Sequence, residues 1–160
     1  MAIYVKVAGI NGSVSTKGYE KCFELLEIHL GFCRPVMIEG NSASRSTGFA
    51  KVTQLSANKI TDASSSQLLS YLLGNKVIPE MKIFVCSTDG DQTTAHVTYT
   101  LSNVIVSELR DAVSSNNSLP LESLQLHFTR IQKAFYPKDS ANHSSSPYII
   151  TYDLEKKAIV

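Results

Sequence analysis

No run of apolar residues in this 160-residue chain approaches the roughly 18 that a helix needs to cross a bilayer. No apolar signal segment opens it: the first residues, Met-Ala-Ile-Tyr-Val-Lys-Val, alternate like a strand. Cysteine is scarce and odd in number, with Cys22, Cys33 and Cys86 alone. These read as free thiols of a protein made in the cytosol, not as a disulfide framework. Charge is scarce as well. Only 18% of residues are charged and the formal net charge is +1, so no field of one sign draws the chain to nucleic acid or an anionic membrane. Its Lys and Arg are scattered among acids, with no ladder of aromatics between them. Ser, Thr, Asn and Gln fill much of the remainder. Interface cores are depleted of charge, so part of this surface is expected to be buried against other subunits.

Catalytic and metal signatures are missing too. There is no Gly-x-Ser-x-Gly elbow for a nucleophile. His143 sits in a Ser-rich stretch and reads as a loop residue. Gly9-Ile10-Asn11-Gly12 is not a phosphate-binding loop, because no helix follows it. Glu24 and Glu27 fall in different strand phases, and nothing else recommends a glycosidase pair. His29 and Cys33 share a strand face but lie more than about 12 Å apart at about 3.3 Å per residue, too far to ligate one ion. No catalytic residue, metal or cofactor is expected.

What is there is a core's worth of hydrophobic residues, 43%, in a length that suits one domain over residues 1–160. Ser56–Asn75 carries the one convincing helix, Ser64–Leu73. Ser64 is placed to cap it, Gln67 to complete a capping box, and Gly74 to end it. Leu68, Leu69, Leu72 and Leu73 form an apolar stripe expected to pack on a sheet. Strand patterns flank the helix on both sides. Ile3, Val5 and Val7 alternate. Cys22–Phe32 alternates with a phase slip at Leu25–Leu26, which predicts a bulge. Gly48–Ile60, Pro79–Cys86, Thr94–Leu101, Asn103–Leu109 and Tyr148–Tyr152 read as further strands. Leu121–Tyr136 gives the longest signal, with Leu124, Leu126 and Phe128 on one face and a slip before Ile131. Arg34–Thr47 reads as a long loop. Eight or nine strands and one short helix predict a mainly β protein, an antiparallel β-barrel.

The order of these motifs resembles the Hcp family, the haemolysin-coregulated proteins of bacterial type VI secretion. The resemblance rests on Gly9-Ile10-Asn11-Gly12-Ser13 after the first strand and on Ile28-His29-Leu30-Gly31-Phe32 closing the second. It continues through Lys59-Ile60-Thr61-Asp62-Ala63-Ser64-Ser65-Ser66-Gln67-Leu68-Leu69, ending at Gly74-Asn75. Leu101-Ser102-Asn103-Val104-Ile105-Val106-Ser107 and Pro120-Leu121-Glu122-Ser123-Leu124-Gln125-Leu126-His127-Phe128 follow. Tyr152-Asp153-Leu154-Glu155 stands where the family has a tryptophan-bearing ending. The resemblance implies a non-enzymatic subunit of the secretion tube. It would form homohexameric rings that stack and carry effectors, inside a sheath and below a spike protein. It would be made in the cytoplasm and secreted without a signal peptide, binding no nucleic acid and entering no membrane. Rings close through two different patches per subunit, and stacking adds axial contacts. The Arg34–Thr47 loop is expected to supply those, with Val36, Met37 and Ile38 as apolar anchors and Glu39 and Arg45 setting register. A monomeric β-barrel module binding a ligand or nucleic acid is the alternative.

Overall fold

A computed structural model describes residues 1–38, 45–90, 92–116, 118–137 and 146–160. The first strand, β1 (Ala2–Val7), pairs with β2 (Phe23–Leu25) and with β9 (Ile78–Asp89). β2 and β3 (Glu27–His29) are one strand interrupted at Leu26, where the sequence slips phase. Leu25 is buried while Leu26 is exposed, and the Leu26 N–H reaches the Asn58 carbonyl at 2.7 Å. The interruption lets one run of chain serve two neighbours: β2 pairs β1, and β3 pairs β8 (Leu55–Ile60). β8 pairs β11 (Leu121–His127), β11 pairs β10 (Gln92–Ala112), and β10 pairs β9. All of these pairs are antiparallel, and followed through Leu26 they return to β1. β12 (Arg130–Phe135), β13 (Tyr148–Asp153) and β14 (Ala158–Ile159) extend the sheet outward from β10. Among the described residues the architecture is the mainly β, antiparallel barrel with one helix that the sequence pattern predicts, with the eight or nine expected strands divided into fourteen.

Several boundaries differ from the sequence pattern. The two strands expected over Thr94–Leu101 and Asn103–Leu109 are one, β10, bent at Asn103. Asn103 takes a left-handed backbone, φ 52°, which a short amide side chain tolerates. Its amide donates to Thr129 Oγ1 at 3.1 Å, and the Thr129 N–H donates to the Ser102 carbonyl at 3.1 Å. The expected Leu121–Tyr136 strand is divided at the same place into β11 and β12. The two long strands therefore turn the barrel corner together. Glu122, Leu124, Leu126 and Phe128 face inward before the corner and Ile131 after it, while Ala134 is buried on the opposite face of β12. Gly48–Ile60 likewise divides, into β7 (Lys51–Val52) and β8. β7 pairs with β4 (Phe32–Cys33) in a separate small ribbon.

The helix, α1, spans Ser65–Leu73, with Ser64 ahead of it. Only Leu68 of the apolar stripe is fully buried, at 0% exposure. Leu72 and Tyr71 pack partly against the core, while Leu69 and Leu73 are exposed, the latter at 74%. A helix of nine residues lying on a curved sheet buries a narrow stripe, so four leucines cannot all reach the core. Leu68→Ala should therefore cost about 2–5 kcal/mol, through lost burial and a cavity. Leu73→Ala should cost well under about 1 kcal/mol, as expected of a surface change. Urea melts of the two variants check this, and equal losses would contradict the burial difference.

The main core joins Phe23, Leu55, Leu68, Ile83, Leu101, Leu124 and their neighbours. A smaller cluster holds Tyr4, Cys22 and Cys86. Cys22, Cys33 and Cys86 are free, as the sequence reading has it; Cys33 is exposed and the other two are buried. Burial pushes the Cys22 and Cys86 thiols up, away from the reactive thiolate. Gly12 is needed for close approach: a Cβ there would stand 2.4 Å from the Cys22 carbonyl oxygen and the Phe23 Cα.

Candidate assembly interface

The inward face of β8 runs Leu55, Ala57, Lys59, and that of β11 runs Glu122, Leu124, Leu126. A cation and an anion thus occupy positions where the pleat demands apolar groups. Lys59 is 0% exposed and Glu122 2%. The Lys59 ammonium donates to Glu122 Oε2 at 2.9 Å, Ser65 Oγ at 2.8 Å and the Ile60 carbonyl at 2.9 Å, and stands 2.9 Å from Asp62 Oδ1. Ser65 Oγ donates to Glu122 Oε2 and Thr61 Oγ1 to Glu122 Oε1, each at 2.9 Å. Every member has partners, the condition under which a buried polar network holds a structure in one arrangement.

Asp62 carries this network outward. Its carboxylate accepts from the Ser64 N–H at 3.0 Å, the Ser64 hydroxyl at 2.5 Å and the Ser13 N–H at 3.2 Å. The Ser64 hydroxyl is therefore spent on Asp62 and makes no cap bond to the helix. The expected capping box fails too, because Gln67 Oε1 accepts from the Asn11 N–H at 2.9 Å. The side chains of Asp62 and Gln67 thus tie the helix start to the Gly9–Gly18 loop. Partial burial works to raise the Asp62 carboxyl. Hydrogen bonds from Ser64 and Lys59, with the Lys59 charge, outweigh it and hold the group below its usual range. Asp153 is lowered by the Lys156 N–H and by Arg130, 2.9 Å away. A carboxyl lowered in the folded state stabilises it above the ordinary carboxylate value of about 3.9, and that contribution fades as pH falls through the folded value. Urea stability should hold level from neutral pH to about pH 5 and then decline. Asp62→Asn should flatten part of the acid limb, and an unchanged limb would count against the network's role.

The surface offers a second, different feature. Arg34–Thr47 is not a structureless loop. Its base is a two-stranded ribbon, β5 (Val36–Ile38) against β6 (Arg45–Thr47), with Val36 opposite Thr47, Met37 opposite Ser46 and Ile38 opposite Arg45. The Gly48 N–H closes the base on the Pro35 carbonyl at 3.0 Å. Val36, Met37 and Ile38 are 55%, 67% and 68% exposed. Arg45 stands beside Ile38 in register, whereas Glu39 lies outside the described residues, as does His143. Three consecutive apolar residues, exposed among the described residues on this ribbon, form a patch of the kind that marks an interaction site.

Other exposed apolar groups escaped the sequence reading: Phe49, capped by the Lys157 ammonium 4.9 Å above its ring, and Tyr148-Ile149-Ile150 on β13. The available signal was the lack of alternation. Val-Met-Ile and Tyr-Ile-Ile are apolar at every position, so one side of each strand must face outward. The buried Lys59–Glu122 pair was missed as well, and its signal was a polar residue in an apolar phase. Among the described residues, no group of three or more His, Cys, Asp and Glu is placed to hold a metal. His29 and Cys33 are both exposed. Among the described residues, no helix is long and apolar enough to cross a membrane.

Comparison with known proteins agrees with this architecture. The family model "Type VI secretion system effector, Hcp" matches residues 4–135. Among solved structures, a type six secretion system protein superposes with a TM-score of 0.91 at 19% identity, covering 99% of both chains. Hcp1 from Salmonella typhimurium gives 0.79 at 18% identity, over 99% of this chain and 98% of its own. A type VI secretion system effector from Yersinia pestis gives 0.70 at 19% identity, over 94% and 98%. Comparison with curated sequences finds no match.

Proposed function

The chain belongs to the Hcp family of type VI secretion proteins, and from that premise we propose that it closes into homohexameric rings, that the rings stack into a tube, and that the tube carries effectors. As a family member it is a structural, secreted subunit that assembles with itself. The finer partners we assign to it are the effectors in the lumen, the sheath outside and the spike protein at the tip. We assign it no catalytic role.

The observation that carries the reading is the exposed apolar ribbon β5–β6. A protomer with only 18% charged residues leaves Val36, Met37 and Ile38 in solvent. That arrangement suits a protein whose surface is completed by copies of itself. Head-to-tail contacts between two unlike patches close a ring when the rotation allows. Sedimentation or native mass spectrometry should give a species near six times the 17.5 kDa protomer. A clean monomer at high concentration would replace the ring reading with that of a monomeric binding module.

A further inference from the structure

Tyr4, Cys22 and Cys86 form a small core on the second face of β1, apart from the main one, and both thiols are fully buried. Residues 11–21 cover it. They run between the buried Ile10 and the buried Cys22, and none of them is itself buried. Val14 and Tyr19 are the apolar groups they turn inward. The Tyr19 ring centre lies 5.1 Å from that of Tyr4 and meets Phe84 edge-on at 5.4 Å. Burial, with the Cys86 thiol beside it, pushes the Tyr19 hydroxyl well above its usual range.

This segment is built to move as one piece. The Gly12 N–H donates to the Lys21 carbonyl at 2.9 Å, the Val14 N–H to the Cys22 carbonyl at 3.0 Å, the Lys21 N–H to the Val14 carbonyl at 3.0 Å and the Tyr19 N–H to the Thr16 carbonyl at 2.9 Å. These bonds join the segment to itself and to its own foot. It is held down by the Asn11 N–H on Gln67 Oε1 at 2.9 Å and the Ser13 N–H on Asp62 Oδ2 at 3.2 Å, both open to solvent. Tyr4 Oη adds a bond with Thr16 Oγ1 at 3.2 Å, and Tyr19 packs against the small core. Lifting the segment leaves the buried charges paired: Asp62 keeps Lys59 and Ser64, and Lys59 keeps Glu122. It also frees Lys21 from a left-handed backbone, φ 65°, which is unfavourable for a residue with a Cβ. A segment with few buried contacts and exposed hydrogen bonds opens at a fraction of the global unfolding free energy.

We propose that residues 11–21 are a lid that opens as a unit while the barrel stays folded, and that this opening decides when thiol-reactive electrophiles reach Cys22 and Cys86. The device belongs to the protomer and does not depend on ring closure.

The test is modification of the full chain by N-ethylmaleimide, which adds a thiol's sulfur and hydrogen across its double bond, with peptide mass spectrometry reading each cysteine. The exposed Cys33 should react first. Cys22 and Cys86 should follow far more slowly and together, at rates within about threefold of each other. In urea below the unfolding transition, both rates should rise with less than about a third of the slope of global unfolding, because the lid exposes little surface. Gln67→Ala, which removes the Asn11 acceptor, should speed both by about two- to tenfold and leave Cys33 unchanged. Reaction of Cys22 and Cys86 as fast as Cys33 would mean that no lid guards them. A urea slope equal to the global one would mean that they are reached only when the barrel unfolds. A Gln67→Ala protein in which the two rates stay at wild type, or in which only one rises, would mean that the segment is not a single latched unit. Each of these results would overturn the proposal.

Discussion

Glu122→Ala should lower the unfolding free energy by about 3 kcal/mol or more, the largest loss expected from any single substitution on β11. The reason is the ammonium it leaves behind. Lys59 is fully buried and would keep Asp62, Ser65 and the Ile60 carbonyl but lose its most buried anion. Thr61 Oγ1 and Ser65 Oγ would lose an acceptor as well. Removing both charges together is a different experiment. Lys59→Met with Glu122→Leu replaces the pair by apolar groups of similar size. Such replacements are often neutral or stabilising, so the double variant should recover most of the single loss. Urea denaturation of the two single variants and the double variant measures the coupling directly. A loss within about 1 kcal/mol for Glu122→Ala, or no recovery in the double variant, would mean that the pair is not what holds β8, β11 and the helix start together.

That pair also shows what could be read from the sequence. The alternation of β11 was legible because one face of the strand is buried and the other is not, whereas β1 buries Tyr4 on its second face and was legible from Ile3, Val5 and Val7 alone. The slip at Leu25–Leu26 was legible for the same reason, since changing the neighbour at Leu26 resets which side faces inward. The helix was legible from Leu68 and Leu72, and Gly74 does follow its last residue, but the left-handed backbone expected of Gly74, at φ −84°, is taken by Asn75, at φ 51°. The N-terminal cap was not legible. Ser64 has the right chemistry for a cap, but Asp62 lies two residues before it and accepts both its N–H and its hydroxyl. Competition between a local turn and a helix cap is settled by the tertiary contacts of Asp62 with Lys59 and Ser13, which no local pattern displays. The joining of Thr94–Leu109 into one strand was hidden for a similar reason. Asn103 reads as a break, and it is a bend that stays in the ladder because Thr129 turns with it. Tyr152, where the family has a tryptophan, keeps a polar tip that donates to the Ala50 carbonyl at 3.3 Å and so ties β13 to the approach to β7. The candidate interface was legible as residues and illegible as a shape. Val36, Met37 and Ile38 stand out as an apolar run amid small polar residues, yet only the pairing with Arg45–Thr47 makes them an exposed ribbon.

Val36→Asp with Ile38→Asp should leave the protomer folded and abolish the tube. The two residues lie on one side of β5, as alternate positions of a strand do, and neither belongs to the core. Their exposure predicts a small effect on the thermal melt, within about 0.5 kcal/mol of wild type, as for surface changes in general. Their effect on assembly should be much larger. Each ring–ring contact would bury two new carboxylates where apolar anchors had been, and burying an unpaired charge is costly. A ring presents the same change at every protomer, so the penalty multiplies around the circle. Met37→Asp acts from the other side of the ribbon and separates two arrangements. If the ribbon lies flat on a neighbour by one face, Met37→Asp should still permit tubes while the double variant does not. If it is clasped on both faces, both should fail. Electron microscopy of tubes reads assembly, and thermal melts control for folding. Normal tubes from the Val36→Asp, Ile38→Asp protein would remove the ribbon from the assembly mechanism. The candidates for axial contact would then be the Gly9–Gly18 loop, which Asp62 and Gln67 hold against the helix start, and the Lys138–Ser146 loop, most of which lies outside the described residues.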